Sequence, residues 1–402
     1  MIRGSVWPVV TLLMVASAQA FVAQRSPVDV ESLPFAPARY EAPRATAPLV
    51  IDGRLDEPAW QAAPWTNRFV DIDGVRDVPL GTRAKMLWDD RYFYIAAELE
   101  EPDVWATLTE RDAIIFHDND FEAFIDPDGD THNYYELEVN ALGTPWDLLL
   151  VRPYRDGGPA LHGWDITGLQ VGVDVQGTLN RPADRDQGWT VELAMPWEAL
   201  KETAPGRRAP RAGEQWRVNF SRVQWQLDVK DGVYVKRLDP ATGKPYAEDN
   251  WVWSPQGAIN MHMPERWGSV AFVDRQLSAV LPSTAGPSTV EPSTAQPPTV
   301  AQSAGQPTAR GESPVVNDAV AWALRRLYYR QQAHHRTHRR YASDLVMLEG
   351  PAITVDGLDF RPTLQATDSL YEISAPGVDG ATVRIRSDGR VWTEAGSKEM
   401  RK

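Results

Sequence analysis

Apolar and polar residues alternate along most of the chain between about residue 40 and residue 275. The clearest example is the segment 92–99, where every second residue is apolar, as on one face of a strand. The same period of two recurs in five later segments, at 121–126, 134–140, 169–175, 189–195 and 216–220. Turn pairs such as Asp-Gly separate these segments. The pattern predicts an all-β antiparallel sandwich, jelly-roll-like in its many short strands, over residues 40–275.

The sequence pattern changes after residue 275. The stretch 276–312 contains Pro-Ser-Thr triplets that recur every five residues, a composition that cannot bury apolar surface and predicts an extended linker. Beyond it, residues 313–402 are predicted to form a small α+β domain, a helix packed on an antiparallel meander. The helix is expected to run from Asn317, as its cap, to about Arg340. Strands are expected near 353–355, 370–374, 381–387 and 391–393, with Asp388-Gly389 as the last hairpin turn.

The first twenty residues have the organisation of a secretory signal peptide. Arg3 precedes an apolar run at 6–16, and Ala18-Gln19-Ala20 has the small-x-small form of a cleavage site. We therefore expect export to the periplasm or the extracellular space, with an uncleaved anchor as the alternative. No later segment approaches the roughly eighteen apolar residues of a membrane-spanning helix, so no transmembrane segment is expected after cleavage.

Composition narrows the functional classes. The 402 residues include no cysteine, which excludes disulfide scaffolds, thiol nucleophiles and thiolate metal sites. A net charge of −14 disfavours nucleic acid as a partner. The chain contains 16 Trp, several of them near predicted strand ends among polar residues, where an indole ring can stack on the apolar face of a sugar. A saccharide or polysaccharide ligand is therefore favoured.

The usual catalytic motifs are absent from the sequence. It contains no G-x-S-x-G elbow, no H-E-x-x-H pair and no phosphate loop. A glycoside hydrolase, however, needs only two carboxylates, which can lie anywhere in a chain. Binding without catalysis is the preferred hypothesis, and a glycoside hydrolase or a hydrolase-associated subunit stays open as the alternative.

Asp126, Asp128 and Asp130 alternate in a turn that contains glycine. This spacing of carboxylates is typical of calcium loops, although the glutamate that completes an EF-hand is missing. Aspartate also tolerates turn geometry without any ligand. The turn is thus either a structural Ca²⁺ site or a solvated acidic turn, and calcium is the one cofactor that the sequence suggests.

Five blocks of the sequence, in order, resemble family 9 carbohydrate-binding modules. They are LVIDGRLDEPAW at 49–60, AKMLWDDRYFY at 84–94, NDFEAFID at 119–126, WTVELAMPW at 189–197, and WVWSPQG with PERWG between 251 and 268. The resemblance covers residues 49–273. It implies a β-sandwich that binds saccharides in a polysaccharide-degradation context.

The resemblance also implies site residues. Glu122 matches an acidic position near the sugar site of the family, and Asn140 matches a polar position on the next strand. Where family members clamp a terminal sugar between two tryptophan rings, this chain has Phe116 and Met261, and Glu138 stands where a neighbouring arginine is expected.

Trp146, Trp253 and His262 complete the predicted ligand-binding set. Glu122 and Asn140 are both out of phase with the apolar residues of their strands. Both are therefore expected to face away from the core, where a carboxylate and an amide can pair with sugar hydroxyls.

The C-terminal region around 327–345 resembles the globular part of pilin-like proteins, without the apolar N-terminal helix of true pilins. A third hypothesis follows from this domain. In it the chain is a surface assembly or docking protein, and the small domain binds a protein partner.

Overall fold

The computed structural model describes residues 34–276 and 312–396. The predicted leader, residues 1–20, and the Pro-Ser-Thr repeats of the linker lie outside the described residues. The described residues before the linker form strands β1 (Arg39–Arg44), β2 (Val70–Asp71), β3 (Thr82–Trp88), β4 (Tyr92–Glu100), β5 (Asp120–Asp126), β6 (Tyr134–Asn140), β7 (Pro145–Leu150), β8 (Ala160–Leu161), β9 (Gln170–Gln176), β10 (Gly188–Pro196), β11 (Gln215–Gln224), β12 (Leu227–Lys230), β13 (Val233–Lys236), β14 (Asp249–Val252) and β15 (Gly268–Gln276). Two short helices, α1 (Pro58–Ala62) and α2 (Trp197–Leu200), accompany them.

The strands build two layers that share one core. The first layer has the order β8-β7-β6-β5-β11-β15-β1, and a single residue pair between β1 and β3 links it to the second layer, which has the order β3-β4-β10-β9. Most neighbouring strands are antiparallel, but β1 runs parallel to β15 and, through one residue pair, to β3. The predicted all-β sandwich is confirmed, and its two layers are joined by a parallel strand that alternation alone does not reveal.

Large rings fill the space between the layers. Phe93, Trp197, Trp216 and Phe272 are nearly or fully buried and meet with ring centroids 5.4 to 5.8 Å apart. Burial of each such side chain contributes roughly 1.5–3 kcal/mol. Because side chains alternate along a strand, the residues between these positions point to the outer faces of the sandwich. The outer face of the first layer carries the candidate site.

The C-terminal unit consists of α3 (Glu312–His338), β16 (Thr363–Ala366), β17 (Tyr371–Pro376), β18 (Thr382–Arg386) and β19 (Val391–Glu394). The predicted α+β arrangement is confirmed, and an apolar stripe of the helix, from Val320 to Tyr328, packs on the small sheet. No helix of the described residues is both long enough and apolar enough to span a bilayer.

Two details of this unit were predicted wrongly. The helix begins at Glu312, so Asn317 does not cap it; the Asn317 side chain instead accepts a hydrogen bond from the Val378 backbone N–H at 3.0 Å. The first strand lies at Thr363–Ala366 rather than at 353–355, where only an isolated bridge at Val355 forms. Local propensity did not reveal which segment pairs with β17.

The C-terminal unit contacts the sandwich through charged groups. Arg390 Nε lies 2.6 Å from Asp130 Oδ2. The Gly389 carbonyl accepts hydrogen bonds from Arg325 Nη2 at 2.6 Å and from the Thr131 hydroxyl at 3.0 Å. Gly389 has φ +87°, a value that favours glycine. The predicted hairpin turn therefore forms part of this contact.

A second acidic residue of the sandwich takes part in the same contact. Glu265 accepts hydrogen bonds from Arg155, at 2.8 Å, and from the Tyr329 hydroxyl on α3. We use the term junction for Asp130 and Glu265 of the sandwich together with Arg325 and Arg390 of the C-terminal unit.

Candidate functional site

Four buried carboxylates occupy the outer face of β5 and β6. Asp120 and Glu122 come from β5, and Glu136 and Glu138 come from β6; each residue is less than a tenth exposed. They share this face because each is out of phase with the core residues of its strand. The strand register places Glu122 directly opposite Glu138. These four residues are called the acidic face below.

The electrostatics of the acidic face are unusual. Burial raises the pKa of Glu122 to about 7. Burial and the charge of neighbouring carboxylates raise the pKa values of Asp120, Glu136 and Glu138 well above the ordinary range. Partial compensation comes from backbone N–H groups: Glu138 accepts a hydrogen bond from Phe116 at 2.9 Å.

Aromatic rings border this face on one side. The ring centroids of Phe116 and Trp146 are 6.4 Å apart, and Trp146 stacks on His162 at 5.7 Å with an interplanar angle of 8°. Trp146 pairs directly with Glu138 across β6 and β7. Phe116 is half-buried and His162 is exposed, so this side of the face reaches solvent.

Two further rings lie on the other side of the carboxylates. Tyr154 is 49% exposed and meets His262 edge-on, with centroids 4.6 Å apart. His262 also contacts Phe124 of β5 edge-on, with centroids 5.9 Å apart, and its Nδ1 lies 2.9 Å from the Tyr134 hydroxyl of β6, so both rings lie on the face of the carboxylates. Burial and the charges of Glu136 and Glu138 raise the pKa of Tyr154 to about 12. Burial and the charge of Arg155 lower the pKa of His262 to about 3, so its imidazole is neutral.

We call the five rings Phe116, Trp146, His162, Tyr154 and His262 the aromatic rim. Four of the six predicted ligand-binding residues therefore belong to this one place: Glu122 in the acidic face, and Phe116, Trp146 and His262 in the rim. Met261, at the second predicted clamp position, is buried in the apolar cluster around Trp146. The direct role of the four predicted residues in ligand binding stays a prediction.

Asn140 lies on the same face, at its edge, but its amide is committed within the chain. Its Nδ2 donates to the Leu108 carbonyl at 2.8 Å and to Asp118 at 3.0 Å. Its Oδ1 accepts from the backbone N–H groups of Leu142 and Thr144, each at 3.1 Å. The residue is fully buried, so the expectation that its amide is available to a sugar does not fit this geometry.

Trp253 was expected at the ligand-binding surface but lies in the core between the layers. It is 4% exposed, and its ring centroid is 5.7 Å from that of Phe220. The reason is strand parity: Val252 faces the apolar cluster of the acidic side, so its neighbours Trp251 and Trp253 face inward.

The predicted calcium turn brings one carboxylate oxygen each of Asp126, Asp128 and Asp130 within 4.8 Å of one another. Asp126 accepts a hydrogen bond from the Thr131 N–H at 2.9 Å. Asp130 is paired with Arg390, as described above. A calcium ion at this turn would therefore compete with a guanidinium for one ligand. Calcium at the turn stays a prediction.

Several residues of the site were missed from the sequence. Asp120 and Glu136 were not proposed as site residues, although the turn at Asp130 contains the necessary signal. In a hairpin, residues equally distant from the turn face each other, which pairs Glu122 with Glu138, as observed. Tyr154 begins a single-turn 3-10 helix after β7, Tyr154–Asp156, and no periodic pattern predicts the position of such a residue.

Comparison with known proteins finds matches within the sandwich region. Residues 51–213 match the family model "Carbohydrate family 9 binding domain-like". A curated relative, Exoglucanase XynX of Acetivibrio thermocellus, is 25% identical over 154 residues; the match spans 38% of this chain and 12% of that protein. The chain thus covers only a small part of the length of this relative.

Solved structures were also compared. A family 9 module of Caldicellulosiruptor kristjanssonii in complex with cellotriose is 16% identical, with a TM-score of 0.39, and the match covers 61% of this chain and 100% of the module. A putative carbohydrate-binding protein of Bacteroides uniformis is 16% identical, with a TM-score of 0.42, over 59% of this chain and all of that one.

Proposed function

We propose that this chain, whose residues 51–213 form a carbohydrate family 9 binding domain-like region, binds a saccharide at the aromatic rim over the acidic face. The observation that carries the proposal is that two partly exposed rings, Phe116 and Tyr154, lie on the same sheet face as the buried carboxylates. Among the similar structures, one family 9 module is a complex with cellotriose and another is a complex with glucose. Glucose and short cello-oligosaccharides are accordingly the first ligands to test.

The rim has the chemistry that a pyranose requires. Phe116 and Tyr154 offer ring faces or edges to the apolar C–H side of a sugar. The exposed His162 adds ring nitrogens that pair with hydroxyl groups, and His262 adds only its Nε2, because its Nδ1 is paired with the Tyr134 hydroxyl at 2.9 Å. Glu122, with a pKa of about 7, is partly ionised at neutral pH, and its charge disfavours anionic ligands in this region.

Binding is a better assignment than hydrolysis. A glycosidase holds the scissile bond between its two carboxyl groups. Glu122 and Glu138 are 5% and 1% exposed, so a sugar ring reaches the rim before it reaches either carboxylate. Product analysis after long incubation with cello-oligosaccharides tests this choice, and release of shorter sugars would favour the hydrolase.

The cellular setting is part of the proposal. The leader-like residues 1–20 support export to the periplasm or the extracellular space, where polysaccharides are degraded. Comparison of the N-terminal sequence of the protein in cell and secreted fractions tests it; mature protein that starts at Phe21 is the expected result.

Isothermal titration of the full-length chain with glucose, cellobiose and cellotriose measures the binding itself. Tyr154→Ala removes an exposed ring of the rim and is expected to weaken affinity about tenfold, because one stacking contact contributes about 1.4 kcal/mol. Phe116→Ala is expected to have an effect of the same size.

Trp65→Ala is the matched control. Trp65 is a half-buried ring on the outer face of the second layer, beneath Arg83 and Lys85, where a cavity of about 490 Å³ also contains polar groups. The Trp65→Ala variant should bind saccharide with the affinity of the wild type. Loss of binding in Trp65→Ala, with normal binding in both rim variants, would place the saccharide on the opposite layer.

A further inference from the structure

The carboxylates of Asp120, Glu122 and Glu138 converge on one point beneath the aromatic rim. One carboxylate oxygen of each lies within 4.8 Å of the other two, and the residues are 0%, 5% and 1% exposed. Two of them come from β5 and the third from the strand paired with it. The register of a sheet, not a flexible loop, therefore sets this arrangement. Such a concentration of buried like charges is unfavourable unless something compensates for it.

Within the described residues, no basic side chain is among the main influences on these groups. Burial and the neighbouring carboxylates dominate at Asp120 and Glu138. Lys236, on the hairpin beside the face, interacts instead with Asp118 and Glu248. The chain itself supplies no counter-charge at this point among the residues that the structure describes.

The other two acidic clusters of the described residues are compensated. Arg111 pairs with Asp147 and, at 3.1 Å, with Asp165. Arg390 pairs with Asp130 at 2.6 Å. The cluster at the acidic face thus differs from both in having no guanidinium among its partners.

Three oxygen atoms at this point also lack hydrogen bonds. Asp120 Oδ2 and Glu122 Oε2 have no partner among the described residues. The Ser221 hydroxyl, directly opposite Glu122 on β11, lies near enough to lower the pKa of that carboxyl, yet it makes no hydrogen bond of normal geometry. Buried polar atoms without partners are rare in folded proteins and point to a ligand or ion that completes them.

We propose that Asp120, Glu122, Glu138 and Ser221 bind a divalent cation, with Ca²⁺ as the expected ion. All the donors are oxygen atoms, which hard cations prefer, and no imidazole or thiolate is present to favour zinc. Two ligands on opposite sides of Ca²⁺ lie about 4.8 Å apart, twice the usual distance of about 2.4 Å. The spread of the three carboxylate oxygens stays within this limit. The proposal does not depend on saccharide binding.

Proton sharing is the competing explanation. In it the carboxyl groups are neutral and hydrogen-bond to one another, and the protein shows no response to calcium at this face. The two explanations differ in one measurable property, the uptake of an ion by the cluster.

The test measures ion binding by the full-length chain in the absence of saccharide. Protein stripped with EDTA is titrated calorimetrically with CaCl₂ and, in parallel, with MgCl₂, and melting temperatures are recorded with CaCl₂ and with EDTA. At a calcium concentration of 100 times Kd, the melting temperature is expected to rise by about 5–10 °C. Glu122→Gln, which keeps the side-chain volume, is expected to remove one bound ion and this rise.

Asp128→Asn, at the predicted calcium turn, is the matched control and should keep both the ion and the temperature rise. Glu138→Gln serves as a second variant if the circular dichroism of Glu122→Gln indicates misfolding. Wild-type protein that takes up no ion, or Glu variants that keep every ion of the wild type, contradict the proposal. Loss of the ion in Asp128→Asn alone assigns it to the turn instead, and uptake of Mg²⁺ without Ca²⁺ contradicts the choice of ion.

Discussion

The junction and the acidic face both bury carboxylates, yet they shift the pKa values of these groups in opposite directions. At the junction, burial alone would raise the pKa of Glu265, but the charges of Arg155 and Arg325 outweigh it and lower the pKa to about 2. At the acidic face, burial raises the pKa of Glu122 to about 7. Burial is similar in the two places, so the guanidinium groups make the difference.

This contrast separates two roles for buried acids. At the junction, Arg390 of the C-terminal unit pairs with Asp130 of the sandwich. Arg325, also of the C-terminal unit, donates a hydrogen bond to Thr131 of the sandwich, and its charge lowers the pKa of Glu265. Charge pairing there specifies how the two units dock. At the acidic face the chain provides only backbone N–H groups such as that of Phe116. The negative charge of these carboxylates therefore has to be compensated by an ion from outside the chain or by protons. A buried cluster of this kind is a candidate functional site.

The largest expected effect is the acid sensitivity of the junction. The folded-state pKa of Glu265 is about 2 and its ordinary value is 4.5. A depressed pKa contributes stability that is fully present above pH 4.5 and is lost as the pH falls through 2, about 3 kcal/mol in all. About 2 kcal/mol of this should be lost between pH 5 and pH 3, as measured by urea unfolding.

Glu265→Gln should remove this part of the pH dependence. The matched control is Glu100→Gln, because Glu100 pairs with Arg68 at the surface, with side chains 47% and 66% exposed; its curve should follow the wild type within about 0.5 kcal/mol. If Glu265→Gln and the wild type lose equal stability between pH 5 and pH 3, Glu265 is not the residue through which the junction senses acid.

The next effect concerns the edge of the acidic face, where neutral donors compensate a carboxylate. Asp118 accepts hydrogen bonds from Thr107 and Leu108 backbone N–H groups and from Asn140, at 2.7, 2.8 and 3.0 Å. Asn140→Ala removes one donor to a buried carboxylate and four hydrogen bonds in total. It is expected to cost about 2 kcal/mol of unfolding free energy.

The measurement for Asn140→Ala is urea unfolding together with saccharide titration. A structural role predicts lost stability, with affinity unchanged when it is measured well below the unfolding transition. Weakened binding at normal stability would instead return Asn140 to the ligand-binding set predicted from the sequence.

Strand periodicity predicted most of the fold because it is a local property. The alternation at 134–140 coincides with β6, and the alternation at 189–195 lies within β10. Pairing between distant segments was harder to predict from the sequence. The parallel contact of β1 with β15, for example, joins residues more than two hundred positions apart. No local pattern encodes such a pair.

The same distinction explains which parts of the candidate site were found. The acidic turn from Asp126 to Asp130 is visible in five consecutive residues. The cluster of Asp120, Glu122 and Glu138 depends on cross-strand register, so it emerges only when β5 and β6 are paired. Trp253 was misplaced because its strand parity depends on which face of β14 packs inward.

The smallest expected effect gives the sharpest test of the difference between the junction and the acidic face. A variant in each region should change the free energy of unfolding in opposite directions. With EDTA at pH 8, Asp130→Asn removes an ion pair whose Arg390 partner is 42% exposed, so it should destabilise the protein by only about 1 kcal/mol. Glu122→Gln removes an uncompensated buried charge and adds an amide donor beside Asp120 and Glu138, so it should stabilise the protein by about 1 kcal/mol.

Both values come from urea unfolding of the full-length chain, with the exposed variant Glu100→Gln as the zero reference. With calcium added, Glu122→Gln should become less stable than the wild type, because this variant has lost an ion ligand. Asp130→Asn should keep the stability difference that it shows with EDTA. If both variants shift stability in the same direction with EDTA, then the acidic face is compensated within the chain after all, and the difference between the two regions lies in packing rather than in charge.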